Sequence, residues 1–143
     1  MGPQGWKYKN VFEEIFSDKA LKGRVFFTGY ISDEDLAPIY SEAMAFVCLS
    51  LYEGFGLPPL EAMQCGVPVI ASNTSSLPEV VGDGGIVISP KDQDALCQNL
   101  LALYRDTDLR QALSRKAIER AKRFTWERTA GETVKAYKLA LGR

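Results

Sequence analysis

Residues 50–72 read SLYEGFGLPPLEAMQCGVPVIAS. They continue a short apolar run, AFVCLS at 45–50, into a glycine-bearing loop at 51–56. Leu57–Gln64 then reads as a helix with prolines in its first turn, where a missing N–H costs nothing. VPVIAS at 67–72 is a second apolar run. Strand, loop, helix and strand in that order predict a parallel β-α unit. In such sheets ligands bind at the loop after a strand and at the N-terminus of the next helix. Gly54 and Gly56 let a backbone approach a ligand closely, and N–H groups around Leu57 suit an anion, phosphate above all.

Working outward, residues 7–21 carry Val11, Phe12, Ile15, Phe16 and Leu21 at helical spacing and predict a helix closed by Gly23. RVFFTGYI at 24–31 is β-branched and aromatic and predicts a buried strand ending near Gly29. Ser32 with Asp35 predicts a capping box opening a helix whose apolar face lies in DLAPIYSEAM. GIVIS at 85–89 is a further strand. Beyond Pro90 the pattern is helical only, with three helices at 92–106, 107–124 and 125–141, each beginning at an Asp or Thr suited to cap it. The expectation is an α/β chain, a partial doubly wound, Rossmann-like parallel sheet of about four strands with a C-terminal helical tail. With 143 residues and 46% hydrophobic content, it reads as one domain, 1–143.

Composition excludes several classes. A net charge of −1 does not suit a nucleic-acid binder that works by neutralising phosphates. From residue 105 onward eleven Lys/Arg stand against five Asp/Glu, which predicts a basic, solvated face on the last helices. Cys48, Cys65 and Cys97 are far apart and no histidine is present, so neither a disulfide framework nor a zinc site is expected. Reduced, core-packed thiols in a cytosolic compartment are the simplest reading. No signal segment opens the chain and no apolar run approaches the roughly 18 residues of a membrane span.

Glu53, on the loop, and Glu61, one turn into the helix, face the crevice. Taken alone, each reads as an ordinary solvated side chain. A carboxylate beside a phosphate is repelled by it, so both are better placed to accept hydrogen bonds from neutral hydroxyls. A phosphate between hydroxylated rings describes a nucleotide-sugar.

EGFGLPPLE resembles the E-x7-E signature of retaining GT-B glycosyltransferases of glycosyltransferase family 4. FTGYISDEDL, GVPVIASNTSSLPEVVGDGG and RAKRFTWERTA resemble its flanking segments in the same order. Within the family the chain is most similar to the bacterial mannosyltransferase branch that builds O-antigen and related polysaccharides. The resemblance implies that Glu53 contacts the donor sugar near the reacting centre as the catalytic residue. It implies that Gly54, Phe55 and Gly56 offer backbone groups to sugar hydroxyls, the Leu57 N–H a phosphate contact, and Glu61 a contact to the ribose. Gly29, Tyr30 and Ile31 would hold the base. It further implies a donor-binding C-terminal domain truncated at its own N-terminus, lacking an acceptor domain and the basic pair that grips the pyrophosphate, and hence close to inactive alone. The full protein would transfer a hexose, mannose by resemblance, from a nucleoside-diphosphate sugar to a saccharide or lipid-linked acceptor. It would need no metal or cofactor and would work in the cytoplasm or at the cytoplasmic membrane surface.

Rival readings differ in their demands. A non-catalytic nucleotide-binding or assembly module needs only the crevice. A glycosidase needs two carboxylates across one bond, about 5–10 Å apart, and a dinucleotide oxidoreductase needs a G-x-G-x-x-G after a strand, which is absent. DQD at 92–94, with Asp92 and Asp94, fits helix capping better than metal binding, and Glu79 suits a helix first turn. Trp6 and Trp126 read as packing anchors. Trp126, Ala130, Val134, Tyr137 and Leu141 form an apolar stripe which, with unpaired strand edges at 24–31 and 45–50, predicts either direct pairing of those two strands or a homodimer.

Overall fold

The computed structural model describes residues 13, 15 and 17–142, and the chain falls into two compact units, one up to Leu36 and one from Ala37 onward. Most of the helix expected at 7–21, and Trp6, lie outside the described residues; Glu13, Ile15 and Ser17 are helical. Residues 19–24 are turn rather than helix. The Asp18 carboxylate accepts the Ala20 N–H at 2.7 Å, a local bond that competes with helix propagation, and Gly23 sits at φ 74°. The strand expected at 24–31 is not formed: residues 25–29 join no sheet, and Phe26 is 79% exposed. A strand is stabilised by the strands beside it, and no β-ladder forms along this segment among the described residues. Ser32 opens α1 (Asp33–Ser41), although its hydroxyl donates to the Asp35 carboxylate at 2.7 Å instead of accepting an N–H.

In the second unit β1 (Phe46–Cys48), β2 (Val69–Ser72) and β3 (Ile86–Ile88) form a parallel sheet in that order. Three strands therefore stand where about four were expected, and direct pairing of 24–31 with 45–50 does not occur. The central strand β2 is buried at every position, which is why it reads as an unbroken apolar run. Connecting these strands are α2 (Leu57–Gln64), then α3 (Leu77–Val81) with a 3₁₀ turn at Gly82–Gly84. The core consists of Met63, Val67, Val69, Ile70, Leu77, Val80 and Val81 from these elements, joined by Leu103 and Ala117. Each large side chain so buried contributes roughly 1.5–3 kcal/mol.

The tail forms α4 (Gln93–Arg105), α5 (Thr107–Ala121) and α6 (Trp126–Ala140). Asp92, Asp106 and Thr125 cap them by accepting N–H bonds from Ala95, Leu109 and Arg128. The α5 cap lies one residue before the expected Thr107. Of the DQD motif, Asp92 serves as the α4 cap and Asp94 lies in the first turn; among the described residues no group of three or more His, Cys, Asp or Glu is placed to hold a metal ion. Arg120 on α5 donates to the Glu79 and Val80 carbonyls, closing the C-terminal end of α3, and its guanidinium lies 5.6 Å from the Phe124 ring centre. α6 buries no residue: Trp126 is 80% exposed and so is not a packing anchor, because nothing among the described residues covers its face. Cys97 is likewise exposed rather than in the core, while Cys48 and Cys65 are half-buried, and all three thiols are free.

Candidate functional site

Gly56 forms the junction between the loop and α2. Its φ of 99° places it where an L side chain is strained, and a Cβ there would stand 2.7 Å from the buried Leu77 Cδ2. No side chain caps α2. Pro58 and Pro59 carry no N–H, and the Leu60 N–H is spent on the Gly56 carbonyl at 3.3 Å. Leu57 is therefore the one first-turn residue whose N–H has no partner among the described residues. The expected anion site narrows to that donor and the amides of the loop before it.

The loop is held from the segment after β2. The Ser72 and Thr74 hydroxyls donate to the Ser50 carbonyl at 2.6 and 3.0 Å. Ser75 receives the Glu53 N–H at 3.1 Å and donates to the Glu53 carbonyl. Ser76 donates to the carbonyls of Glu53 and Phe55 at 3.1 and 2.9 Å. Ser75 adopts a φ of 56°, unusual for a residue with a side chain. Four hydroxyls thus fix the backbone that carries Glu53, whose carboxylate accepts the Ser50 hydroxyl at 2.7 Å and is half-buried. Gly54 and Phe55 are exposed at the tip, and the Phe55 ring meets Phe124 edge-on at 5.9 Å.

Glu61 sits in the second turn of α2, half-buried. Its Oε2 accepts the Tyr40 hydroxyl at 3.1 Å, and the Tyr40 ring, 5% exposed, packs edge-on to Phe46 at 5.6 Å. Burial first, then the neighbouring Glu61 charge, push the Tyr40 hydroxyl up to about 12, so it remains a proton donor throughout the neutral range. Glu61 also borders a cleft of about 430 Å³ with Phe55, Leu57, Phe124 and Trp126.

Glu53, Gly54, Phe55, Gly56, Leu57 and Glu61 thus share one unit, around one helix N-terminus. Gly29, Tyr30 and Ile31 belong to the other unit: Gly29 has a φ of 66°, Tyr30 is exposed and Ile31 is half-buried. Sequence reading missed Tyr40 and the hydroxyl clamp. The run SNTSS directly after a buried strand was the available signal for the clamp; nothing local marks Tyr40. Chemically, the site offers a backbone donor for an anion and two carboxylates with spare lone pairs for hydroxyls.

Known proteins resemble this chain in sequence and in fold. O-antigen chain mannosyltransferase B of Escherichia coli is 44% identical over 138 residues, 96% of this chain and 36% of that protein. Sucrose-phosphate synthase from Thermosynechococcus elongatus is 33% identical at a TM-score of 0.80, covering 94% of this chain and 34% of the other. Anabaena Alr3699/HepE in complex with UDP-glucose is 25% identical at a TM-score of 0.72, covering 80% and 32%. The chain spans about a third of the length of each of these relatives. Its parallel α/β unit matches the C-terminal domain of GT-B glycosyltransferases. The family described as glycosyl transferases group 1 matches residues 1–120, and the chain belongs to that family.

Proposed function

We propose that this chain is the donor-binding part of a retaining glycosyltransferase of family 4 that moves a hexose, mannose by its relatives, from a nucleoside diphosphate to a saccharide or lipid-linked acceptor. The observation that carries the reading is the placement of Glu53 on the clamped loop before α2 and of Glu61 in the second turn of α2, in a family member 44% identical to a mannosyltransferase. The Leu57 end of α2 receives the phosphate and offsets charge on the departing diphosphate. Glu53, held by the serine clamp, lies against the donor sugar and stabilises positive charge as the bond to the diphosphate breaks. The backbone at 54–56 meets sugar hydroxyls and Glu61 the ribose. HepE, solved with UDP-glucose, supports a nucleotide-sugar donor. The mannosyltransferase relative weighs against a non-catalytic module.

No metal or cofactor enters this scheme, in which the donor is a substrate. The acceptor is bound by an N-terminal domain, and the whole protein works in the cytoplasm or at the membrane surface. No described helix is long and apolar enough to cross a membrane. The open face of α6 serves the N-terminal domain or a second copy.

Titrating the chain with GDP-mannose and UDP-glucose tests the site. Binding of one that is weakened by Glu61→Ala supports the donor site. Binding of either that is indifferent to both Glu61→Ala and Glu53→Ala refutes it. In a chain joined to its N-terminal domain, turnover unaltered in both variants refutes the assignment of roles.

A further inference from the structure

We infer that Tyr40 is a positioning residue, whose hydroxyl fixes the Glu61 carboxylate in the orientation that reads the ribose hydroxyls of the donor; the inference rests on the donor-site reading above. A glutamate side chain on a half-exposed helix face has three rotatable bonds and no fixed direction. Here one oxygen is tied. Tyr40 comes from α1, is nearly fully buried and is braced by Phe46, so its hydroxyl is a fixed point rather than a mobile surface group. It donates to Oε2 at 3.1 Å, taking one lone pair and leaving Oε1 and the second lone pair of Oε2 for a vicinal diol. The direction of the bond is secured by the same surroundings. Burial, then the Glu61 charge, keeps the phenol protonated, so in this bond Tyr40 is the donor and Glu61 the acceptor.

No other side chain among the described residues bonds to the Glu61 carboxylate, and no cation pairs with it. A bare carboxylate presented to sugar hydroxyls would swing between rotamers and lose part of its binding in being ordered. The Tyr40 bond meets that cost during folding. The hydroxyl therefore matters for ligands that carry the diol and not for those that lack it, which separates it from a residue that merely packs.

Calorimetric titration of the 143-residue chain with GDP and UDP, and with the 2′,3′-dideoxy form of whichever binds, tests this. Tyr40→Phe keeps the ring and its packing on Phe46. It is expected to weaken the ribonucleotide about tenfold and leave the dideoxy form unchanged, closing most of the gap between the two. In a Glu61→Ala background, Tyr40→Phe is expected to have no further effect. A tenfold loss against both ligands, or an undiminished loss in the Glu61→Ala background, overturns the inference by showing a general structural role. If Glu61→Ala weakens the ribonucleotide while Tyr40→Phe does not, the inference alone falls and the donor site stands. If Glu61→Ala alone leaves binding intact while Glu53→Ala weakens it, the inference falls and the donor site stands; if neither ribonucleotide binds, or neither variant weakens binding, both fall together.

Discussion

Replacing Gly56 with alanine strikes the junction on which the proposed site is built, and its cost can be divided in advance. The backbone term is the larger. At φ 99° and ψ 51° an L residue is outside the comfortable left-handed basin, and holding it there costs on the order of 1–3 kcal/mol. The steric term is smaller. The new Cβ would stand 2.7 Å from Leu77 Cδ2, the end of a side chain that is fully buried but able to rotate, which costs roughly 0.5–1.5 kcal/mol. Together they give a loss of about 2–4 kcal/mol, a fall of ~1 M or more in urea midpoint. Circular dichroism is the suitable probe, since the exposed Trp126 reports folding poorly. Gly54→Ala is the control, because nothing lies within 4 Å of its Cβ position and its φ is not positive; it should cost under about 0.5 kcal/mol. Leu77→Ala, itself costly through the cavity it leaves, should recover at most about 1 kcal/mol of the Gly56→Ala loss in the double variant. A Gly56→Ala chain as stable as its parent would refute the reasoning. Complete recovery by Leu77→Ala would refute the backbone term and leave only the clash.

Arg120→Met should cost about 2–3 kcal/mol by leaving the Glu79 and Val80 carbonyls without their charged donor. Asp83→Ala should cost no more than about 0.5 kcal/mol, since that carboxylate is 75% exposed and 3.7 Å from the guanidinium; equal losses in urea melts of the two variants would contradict this division. Thr125→Ala should lower stability by about 1 kcal/mol through the lost α6 cap, and Thr125→Ser should retain most of it. For pH, the folded Tyr40 hydroxyl is raised from 10 to about 12, so its contribution is complete below pH 10 and lost as pH climbs toward 12. Tyr40→Phe should remove that share of the alkaline destabilisation, and superimposable urea midpoints across roughly pH 9–12 would contradict the shift. Light scattering over a concentration series should show a mass that rises toward a dimer through the open α6 face, and a strictly monomeric mass at every concentration excludes it.

Features whose cause is local were readable from the sequence. The α2 boundaries follow from two prolines and a glycine, α4 and α6 from Asp92 and Thr125, α5 to within one residue of its cap, and β2 from an apolar run buried on both faces. RVFFTGYI failed for the complementary reason: its composition is that of a strand, but strand formation requires a ladder to an adjacent strand, and none forms at residues 25–29. The same division runs through the site. The positions of Glu53 on a loop and Glu61 on the following helix were legible because loop, glycine, proline and helix come in one short string. The groups that direct them were not, since Ser75 and Ser76 act across 22 and 23 residues and Tyr40 across 21. Trp126 shows what this implies for function. Its size predicts burial, yet it is exposed and borders the cleft that Glu61 also borders. Under the proposed function the α6 face is the one open to the N-terminal domain or a second copy, so ligand contact at Glu61 and docking on α6 would meet at the same cleft. A ligand that engages Glu61 from this cleft should alter Trp126 fluorescence, whereas association through the far end of α6, at Tyr137 and Leu141, should leave the signal unchanged.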